Sequence, residues 1–151
     1  MDIKVISESE SETIELGKRI GARLSPGLVL ALNGTLGTGK TRLTQGLGQA
    51  IGIAKGEIVS PTYTLCTPHE GELLLVHLDA YRIAEVEEVD ELGLDELVEE
   101  GAVLVVEWAD RVAEYIPPID LTIQLESTSE NTRSVSMSAN SEKGQILLDQ
   151  I

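Results

Sequence analysis

A glycine-rich segment directly after a short apolar run constrains this chain more than any other feature. Residues 28–33 read LVLALN, which is typical of a buried strand, and residues 34–41 read GTLGTGKT. The second segment matches the G-x-x-x-x-G-K-[ST] pattern, in which backbone N–H groups surround the phosphates of a nucleoside triphosphate. Residues 40–53, KTRLTQGLGQAIGI, follow as a predicted helix whose N-terminus favours bound anions. The order of strand, loop and helix therefore predicts a nucleoside triphosphate site.

The residue types in this loop suit phosphate chemistry. Glycines lack a Cβ that would obstruct the approach of the backbone to phosphate oxygens, Lys40 offers a positive charge to the β- and γ-phosphates, and the Thr41 hydroxyl can bind Mg²⁺. A dinucleotide-binding fingerprint fits less well, because the glycine spacing differs and a lysine follows. The predicted nucleotide-binding residues are Gly34, Thr35, Leu36, Gly37, Thr38, Gly39, Lys40, Thr41 and Arg42.

Two later apolar runs end in carboxylates. LLLVHLD ends in Asp79, and AVLVVEW contains Glu107. A phosphate loop needs an acidic group near its Mg²⁺, commonly at the end of a neighbouring buried strand, so both are predicted catalytic and metal-binding residues together with the metal ligand Thr41. Spacing alone does not rank the two carboxylates, and the alternative is that either one caps a strand end.

Three further side chains have a structural and a functional interpretation. Thr62 in SPTYT (residues 60–64) can belong to a loop that senses a γ-phosphate, although these residues alone favour an ordinary turn. His77 faces the same way as Asp79 on a strand, where a hydrogen-bonded core histidine is favoured. Trp108 can pack in the core or lie beside a nucleotide base, and packing is slightly favoured.

Composition limits the class of protein. The chain has 151 residues, a size typical of one domain, and a net charge of −15, which disfavours autonomous binding to RNA or DNA. A single cysteine, Cys66, rules out an internal disulfide and suits a reducing compartment. The first residues have no apolar signal core, and no apolar run is long enough to span a membrane, so we expect a cytoplasmic protein.

Alternating strand and helix patterns predict the α/β fold class. We expect a phosphate-loop NTPase-like single domain over residues 1–151, with a central, mostly parallel sheet, added antiparallel strands and flanking helices. The more specific expectations are a helix from residue 7 to 24 capped by Ser9, a hairpin within residues 57–83 that turns near Pro68–Gly71, one helix or two short ones in residues 85–101, and a C-terminal antiparallel hairpin.

Several motifs in order resemble one family. They are GTLGTGKT, SPTYTL, HLDAYR, ELGLDEL and VVEWADR with IP shortly after, which together extend from about residue 34 to residue 117. This series resembles the TsaE (formerly YjeE) family of bacterial ATPases of tRNA N6-threonylcarbamoyladenosine synthesis. The phosphate loop is shared by many NTPases, whereas SPTYTL followed by H-x-D-x-Y-R and then E-W is far more specific to this family.

The resemblance implies an ATPase that uses ATP and Mg²⁺. Its hydrolysis would be slow and dependent on the partner proteins TsaB and TsaD, and TsaD would modify the tRNA, so that the tRNA is met only indirectly. Asp79 and Glu107 would lie in the metal and hydrolysis site, and Thr62 and Tyr63 in a switch-like loop. The family loop commonly reads G-D/E-L-G-A-G-K-T, so Thr35 and Thr38 are departures that bear on hydrolysis more than on binding.

Two other functions remain open at this point. A small-molecule kinase would need a mobile lid with basic residues. The arginines are scattered along the sequence and residues 84–100 are acidic, which disfavours a kinase. A nucleotide-gated adaptor without hydrolysis is the second alternative.

Overall fold

The computed structural model describes residues 2–35, 37–54, 56–58 and 66–151, with the backbone but not the side chain of Arg82. The predictions for Leu36, Thr62 and Tyr63 therefore lie outside the described residues.

Seven strands among the described residues form one mixed sheet. In chain order they are β1 (Asp2–Ser7), β2 (Val29–Asn33), β3 (Cys66–Glu70), β4 (Leu74–Asp79), β5 (Val103–Glu107), β6 (Leu121–Ser127) and β7 (Arg133–Ala139). Their order across the sheet is β1-β7-β6-β2-β5-β4-β3. The central strands β6, β2, β5 and β4 are parallel to one another, while β1, β7 and β3 pair antiparallel at the edges. The predicted fold class is confirmed.

Successive side chains of the central strands lie on opposite faces of the sheet, and each face packs in its own apolar layer. Leu30 and Leu32 of β2 belong to the cluster that contains residues of the first two helices, whereas Val29 and Ala31 belong to the cluster on the other face. Because both faces are covered, β2 and β5 are continuous apolar runs, as expected for parallel strands. Among the described residues, no helix is both long and apolar enough to cross a membrane.

In the described part of the chain, four α-helices flank the sheet: α1 (Glu10–Gly21), α2 (Lys40–Ala50), α3 (Leu94–Glu99) and α4 (Glu142–Asp149). The predicted cap is present, since Ser9 Oγ accepts a hydrogen bond from the Glu12 N–H at 3.1 Å. Helices α1 and α2 meet through glycines: a Cβ on Gly46 would lie 2.1 Å from the Ile14 carbonyl oxygen. This close packing fixes the start of α1 beside the loop that precedes α2.

Several boundaries differ from the predictions. Ser7 ends β1, so the first helix starts three residues later than expected, and α2 ends at Ala50 because Gly52 has a left-handed φ of 89°. The hairpin of β3 and β4 is present, but Pro68 lies inside β3 and the chain reverses after Glu70. Residues 85–101 form two short elements, a 3₁₀ helix (Val86–Leu92) and α3, which is one of the two expected arrangements.

Strand β1 and helix α4 were not predicted. β1 is a half-exposed edge strand with a weak apolar alternation, and α4 depends on a tertiary contact for its position. Ser141 caps α4 and donates to the buried Asp120 carboxylate at 2.6 Å, while Asp120 also accepts from the Val29 N–H at 2.9 Å. The C-terminal hairpin of β6 and β7 is present as expected.

Candidate functional site

The carboxyl ends of the parallel strands bring the predicted site together. β2 leads into the glycine-rich loop, and in the neighbouring strands Glu107 of β5 lies opposite both Leu32 of β2 and Asp79 of β4. A cleft of about 470 Å³ opens at this edge of the sheet. Its lining combines predicted and unpredicted residues: Ser9, Glu10, Thr13, Gly37, Gly39, Lys40, Thr41, Arg42, Gln45, Asp79, Tyr81, Glu107, Trp108, Glu130, Asn131 and Arg133.

The glycine-rich loop has a backbone suited to an anion. Gly37 and Gly39 adopt left-handed φ values of 82° and 99°, which residues with a Cβ adopt at a cost. A Cβ on Gly34 would lie 2.6 Å from Thr38 Oγ1, and this hydroxyl donates to the Thr35 carbonyl at 2.8 Å. The loop is therefore a cradle that only glycines complete, which fits a bound phosphate chain.

Lys40 brings a positive charge into the cleft from the first turn of α2. Its side chain is only 6% exposed, and Nζ donates to the Gly34 carbonyl at 2.6 Å. Nζ also lies 3.5 Å from Glu107 Oε1 and 4.8 Å from the centroid of the Trp108 ring. The Lys40 ammonium thus contacts a carbonyl, a carboxylate and an aromatic ring in the cleft. A phosphate oxygen can replace these partners when a nucleotide binds.

Glu107 is held between two basic side chains. His77 Nε2 lies 2.5 Å from Glu107 Oε2, and both residues are buried. Burial acts to raise the pKa of Glu107, but the hydrogen bond and charge of His77, together with Lys40, outweigh it and lower the pKa below its usual value. Glu107 is therefore an ionised acceptor, and the buried His77 is hydrogen-bonded as expected.

Asp79 differs electrostatically from Glu107. Burial, followed by repulsion from Glu107, raises the pKa of Asp79, while the Tyr81 N–H, His77 and Lys40 act in the opposite direction. Its Oδ1 accepts from that N–H at 3.0 Å and so caps the short 3₁₀ helix at residues 80–82. The two predicted carboxylates are adjacent, but they have pKa values shifted in opposite directions.

A metal ion at this site would need ligands beyond protein carboxylates. The described residues contain no group of three or more His, Cys, Asp or Glu side chains placed to hold one. Thr41, Asp79 and Glu107 all line the same cleft, and oxygen ligands of this type suit Mg²⁺, which binds through few protein groups and completes its shell with phosphates and water. The donor set fits Mg²⁺ carried in with a nucleotide.

Two arginines that are far apart in sequence, Arg42 and Arg133, both line this cleft. Arg133 Nη2 donates to the Gly37 carbonyl at 3.2 Å, although nearly 100 residues separate them. Arg42 Nη1 donates to Gln45 Oε1 at 3.0 Å, and its Nε lies 3.5 Å from a carboxylate oxygen of Glu10. No local pattern indicates the role of Arg133, because the antiparallel pairing of β7 with β6 places it there.

Trp108 both packs and lines the cleft. Its ring contacts the apolar layer on one face of the sheet, and its centroid lies 5.0 Å from that of Tyr81. The residue has a left-handed φ of 60°, the only positive value among the described non-glycine residues. This conformation directly after Glu107 turns the chain at the end of β5 and places the indole over Lys40.

Comparison with known proteins places this chain in a family. The family model described as threonylcarbamoyl adenosine biosynthesis protein TsaE matches residues 7–135. The chain belongs to the TsaE family. A TsaE from Treponema pallidum is 36% identical over 135 residues, covering 89% of this chain and 99% of that protein. A TsaE from Bacillus subtilis is 34% identical over 141 residues, covering 93% of this chain and 87% of the relative.

A solved structure has the same fold. The crystal structure of YdiB from Bacillus subtilis matches this TsaE chain with a TM-score of 0.82 and 30% sequence identity. The match covers 99% of this chain and 93% of the YdiB chain. The mixed sheet and its flanking helices are thus shared with a protein related in sequence, which agrees with the predicted phosphate-loop NTPase-like fold.

Proposed function

We propose that this TsaE-family protein is an ATPase, a single domain over residues 1–151 that binds Mg-ATP at the glycine-rich loop and hydrolyses it. The observation that carries the proposal is the contact of Lys40 with Glu107 beside the loop, at the carboxyl ends of β2 and β5. A buried ammonium and an ionised carboxylate at this place provide for binding and for hydrolysis of a triphosphate.

In this proposal the loop and Lys40 bind the nucleotide, and Glu107 acts in its hydrolysis. The loop N–H groups and Lys40 bind the β- and γ-phosphates, and Lys40 leaves Glu107 to do so. Glu107 accepts a hydrogen bond from the attacking water and directs it at the γ-phosphorus, while the bond from that phosphorus to the β-phosphate oxygen breaks. Since its pKa is lowered, Glu107 acts chiefly by orienting the water rather than as a strong base.

Mg²⁺, when bound, supplies charge neutralisation between the β- and γ-phosphates. Thr41 would hold it through its hydroxyl, and Asp79 and Glu107 offer carboxylate oxygens from the adjacent strand ends. Because its pKa is raised, Asp79 gains more than Glu107 from a nearby cation, so we assign the metal first to Thr41 and Asp79.

The names of the relatives indicate the process that this activity serves. They are tRNA threonylcarbamoyladenosine biosynthesis proteins, and we propose the same role for this chain in the cytoplasm. We expect it to act on a TsaB–TsaD complex and to meet tRNA only through that complex. The net charge of −15 supports this assignment, because the surface repels a phosphate backbone unless a partner intervenes.

Release of phosphate from Mg-ATP, measured with and without purified TsaB and TsaD, tests the proposal. We expect slow turnover by the protein alone and a changed rate with both partners present. Tight Mg-ATP binding with no turnover in either condition would show a nucleotide-gated adaptor instead. Transfer of the phosphoryl group to a metabolite, without release of phosphate, would show a kinase.

A further inference from the structure

His77 contacts the predicted catalytic residue Glu107, but the proposed function gives this histidine no role. It lies on β4, two residues before Asp79, and its side chain is 2% exposed. Its Nε2 lies 2.5 Å from Glu107 Oε2. A carboxylate oxygen is a hydrogen-bond acceptor, so His77 Nε2–H donates to Glu107 Oε2 in this contact.

The two oxygens of Glu107 have different partners. Oε2 contacts His77 behind the strand ends, whereas Oε1 lies 3.5 Å from Lys40 Nζ on the side of the cleft. When Lys40 turns to the phosphates, Oε1 loses that partner. The short, buried hydrogen bond from His77 to Oε2 is then the contact that limits movement of the Glu107 carboxylate.

We propose that His77 is a positioning residue for hydrolysis: its Nε2–H holds Glu107 Oε2, so that Oε1 stays directed at the attacking water once Lys40 has moved to the phosphates. The proposal rests on the proposed ATPase function and deepens it. A histidine that only filled the core would affect stability and leave the chemical step unchanged. A positioning histidine affects kcat, because misplacement of a catalytic group by about 1 Å can lower a rate roughly 100-fold.

Variants of His77 separate these roles. His77→Gln keeps an N–H donor at the reach of Nε2, His77→Asn places its donor one methylene short, and His77→Leu has none. We expect His77→Leu to lower kcat roughly 10- to 100-fold, with KM and the Kd of a non-hydrolysable ATP analogue within a few-fold of wild type. His77→Gln should retain most of kcat, and His77→Asn should resemble His77→Leu. The Gln and Asn pair carries the test if His77→Leu does not fold.

A second readout needs no turnover. The chain has two histidines, His69 and His77, so a ring N–H proton resonance can be assigned by comparing His69→Gln with His77→Gln. We expect a slowly exchanging ring proton in the nucleotide-free protein that is absent in His77→Gln and present in His69→Gln. It should persist when Mg²⁺ and the analogue are added, because the contact with Oε2 is retained.

Three outcomes would overturn the proposal: kcat of His77→Leu equal to wild type, equal losses of kcat in the Gln and Asn variants, or loss of the ring proton when the nucleotide binds. His69→Gln is the matched control and should turn over like wild type, since His69 lies on the edge strand β3 opposite Leu75, whereas His77 is the histidine that contacts Glu107. A wild-type protein that binds Mg-ATP without releasing phosphate would instead overturn the ATPase function itself.

Discussion

The cleft has two walls that differ in burial and charge. The inner wall is formed by Lys40, Asp79 and Glu107, all of which are less than 10% exposed, and the buried His77 contacts Glu107. The outer wall is formed by Ser9, Glu10, Glu130, Asn131 and Arg133, all of which are partly or fully exposed. The first set is contributed by strand ends and the phosphate loop, and the second by the start of α1 and the turn between β6 and β7.

This difference predicts where catalysis and where affinity are controlled. Charges interact more strongly in the low dielectric of a buried site than at the surface, where water and salt screen them. Substitutions in the inner wall should therefore change rates and phosphate binding by large factors. Those in the outer wall should change affinity by small, salt-dependent factors.

The largest expected effect comes from Glu107 of the inner wall. Glu107→Gln removes the anionic acceptor for the attacking water, and we expect kcat to fall by roughly 100- to 10,000-fold. Affinity for a non-hydrolysable ATP analogue should be unchanged or tighter, because a negative charge that faces the phosphates is lost. Phosphate release and calorimetric titration measure the two quantities. The exposed Glu114→Gln is the control, and undiminished kcat in Glu107→Gln would remove Glu107 from the mechanism.

Lys40 of the inner wall should control binding. Lys40→Ala removes the charged donor to the phosphates, a bond of about 1.5–3 kcal/mol, so we expect affinity for Mg-ATP to fall roughly 13- to 160-fold. Titration calorimetry measures this loss. Lys18→Ala is the control, since Lys18 is exposed on α1 and pairs only with Glu15 among the described residues. Equal affinities of the two variants would place the triphosphate elsewhere.

Arg133 tests the outer wall. Arg133→Ala removes the hydrogen bond to the Gly37 carbonyl of the phosphate loop. If the binding free energy of Mg-ATP falls by the net value of one such bond, about 0.5–1.5 kcal/mol, its Kd becomes roughly 2- to 13-fold weaker. The difference from wild type should shrink as salt is added, and kcat should not change. The exposed Arg23→Ala serves as the control. A large fall in kcat for Arg133→Ala would break the distinction between the walls.

The smallest expected effect is on the stability of the nucleotide-free protein. The pKa of Asp79 is raised in the folded state, so its contribution to stability is present below the unfolded pKa and is lost as pH rises. Asparagine does not ionise, so the Asp79→Asn variant avoids this loss of stability. We expect its Tm at neutral pH to rise by less than about 4 °C, the shift that 1 kcal/mol gives in a domain of this size. Thermal melts without Mg²⁺ measure it, and a lower Tm at neutral pH would contradict the pKa shift.

The two walls also differ in how far the sequence predicts them. Lys40, Asp79 and Glu107 each follow or end an apolar strand pattern, and parallel strands bring such ends to one edge of a sheet. Glu10 and Arg133 have no such local signal. The tight glycine contact between α1 and α2 places Glu10 at the cleft, and the antiparallel pairing of β7 with β6 places Arg133 there. His77 was predicted as a buried histidine, but its partner Glu107 lies 30 residues away and becomes evident only once β4 and β5 are paired.

A crystal structure with Mg²⁺ and a non-hydrolysable ATP analogue tests the central claim most directly. We predict a triphosphate on residues 37–41, with Lys40 Nζ moved from Glu107 to the phosphates and Glu107 Oε2 still in contact with His77. A nucleotide bound elsewhere, or Lys40 still on Glu107 with the phosphates in place, would contradict the claim.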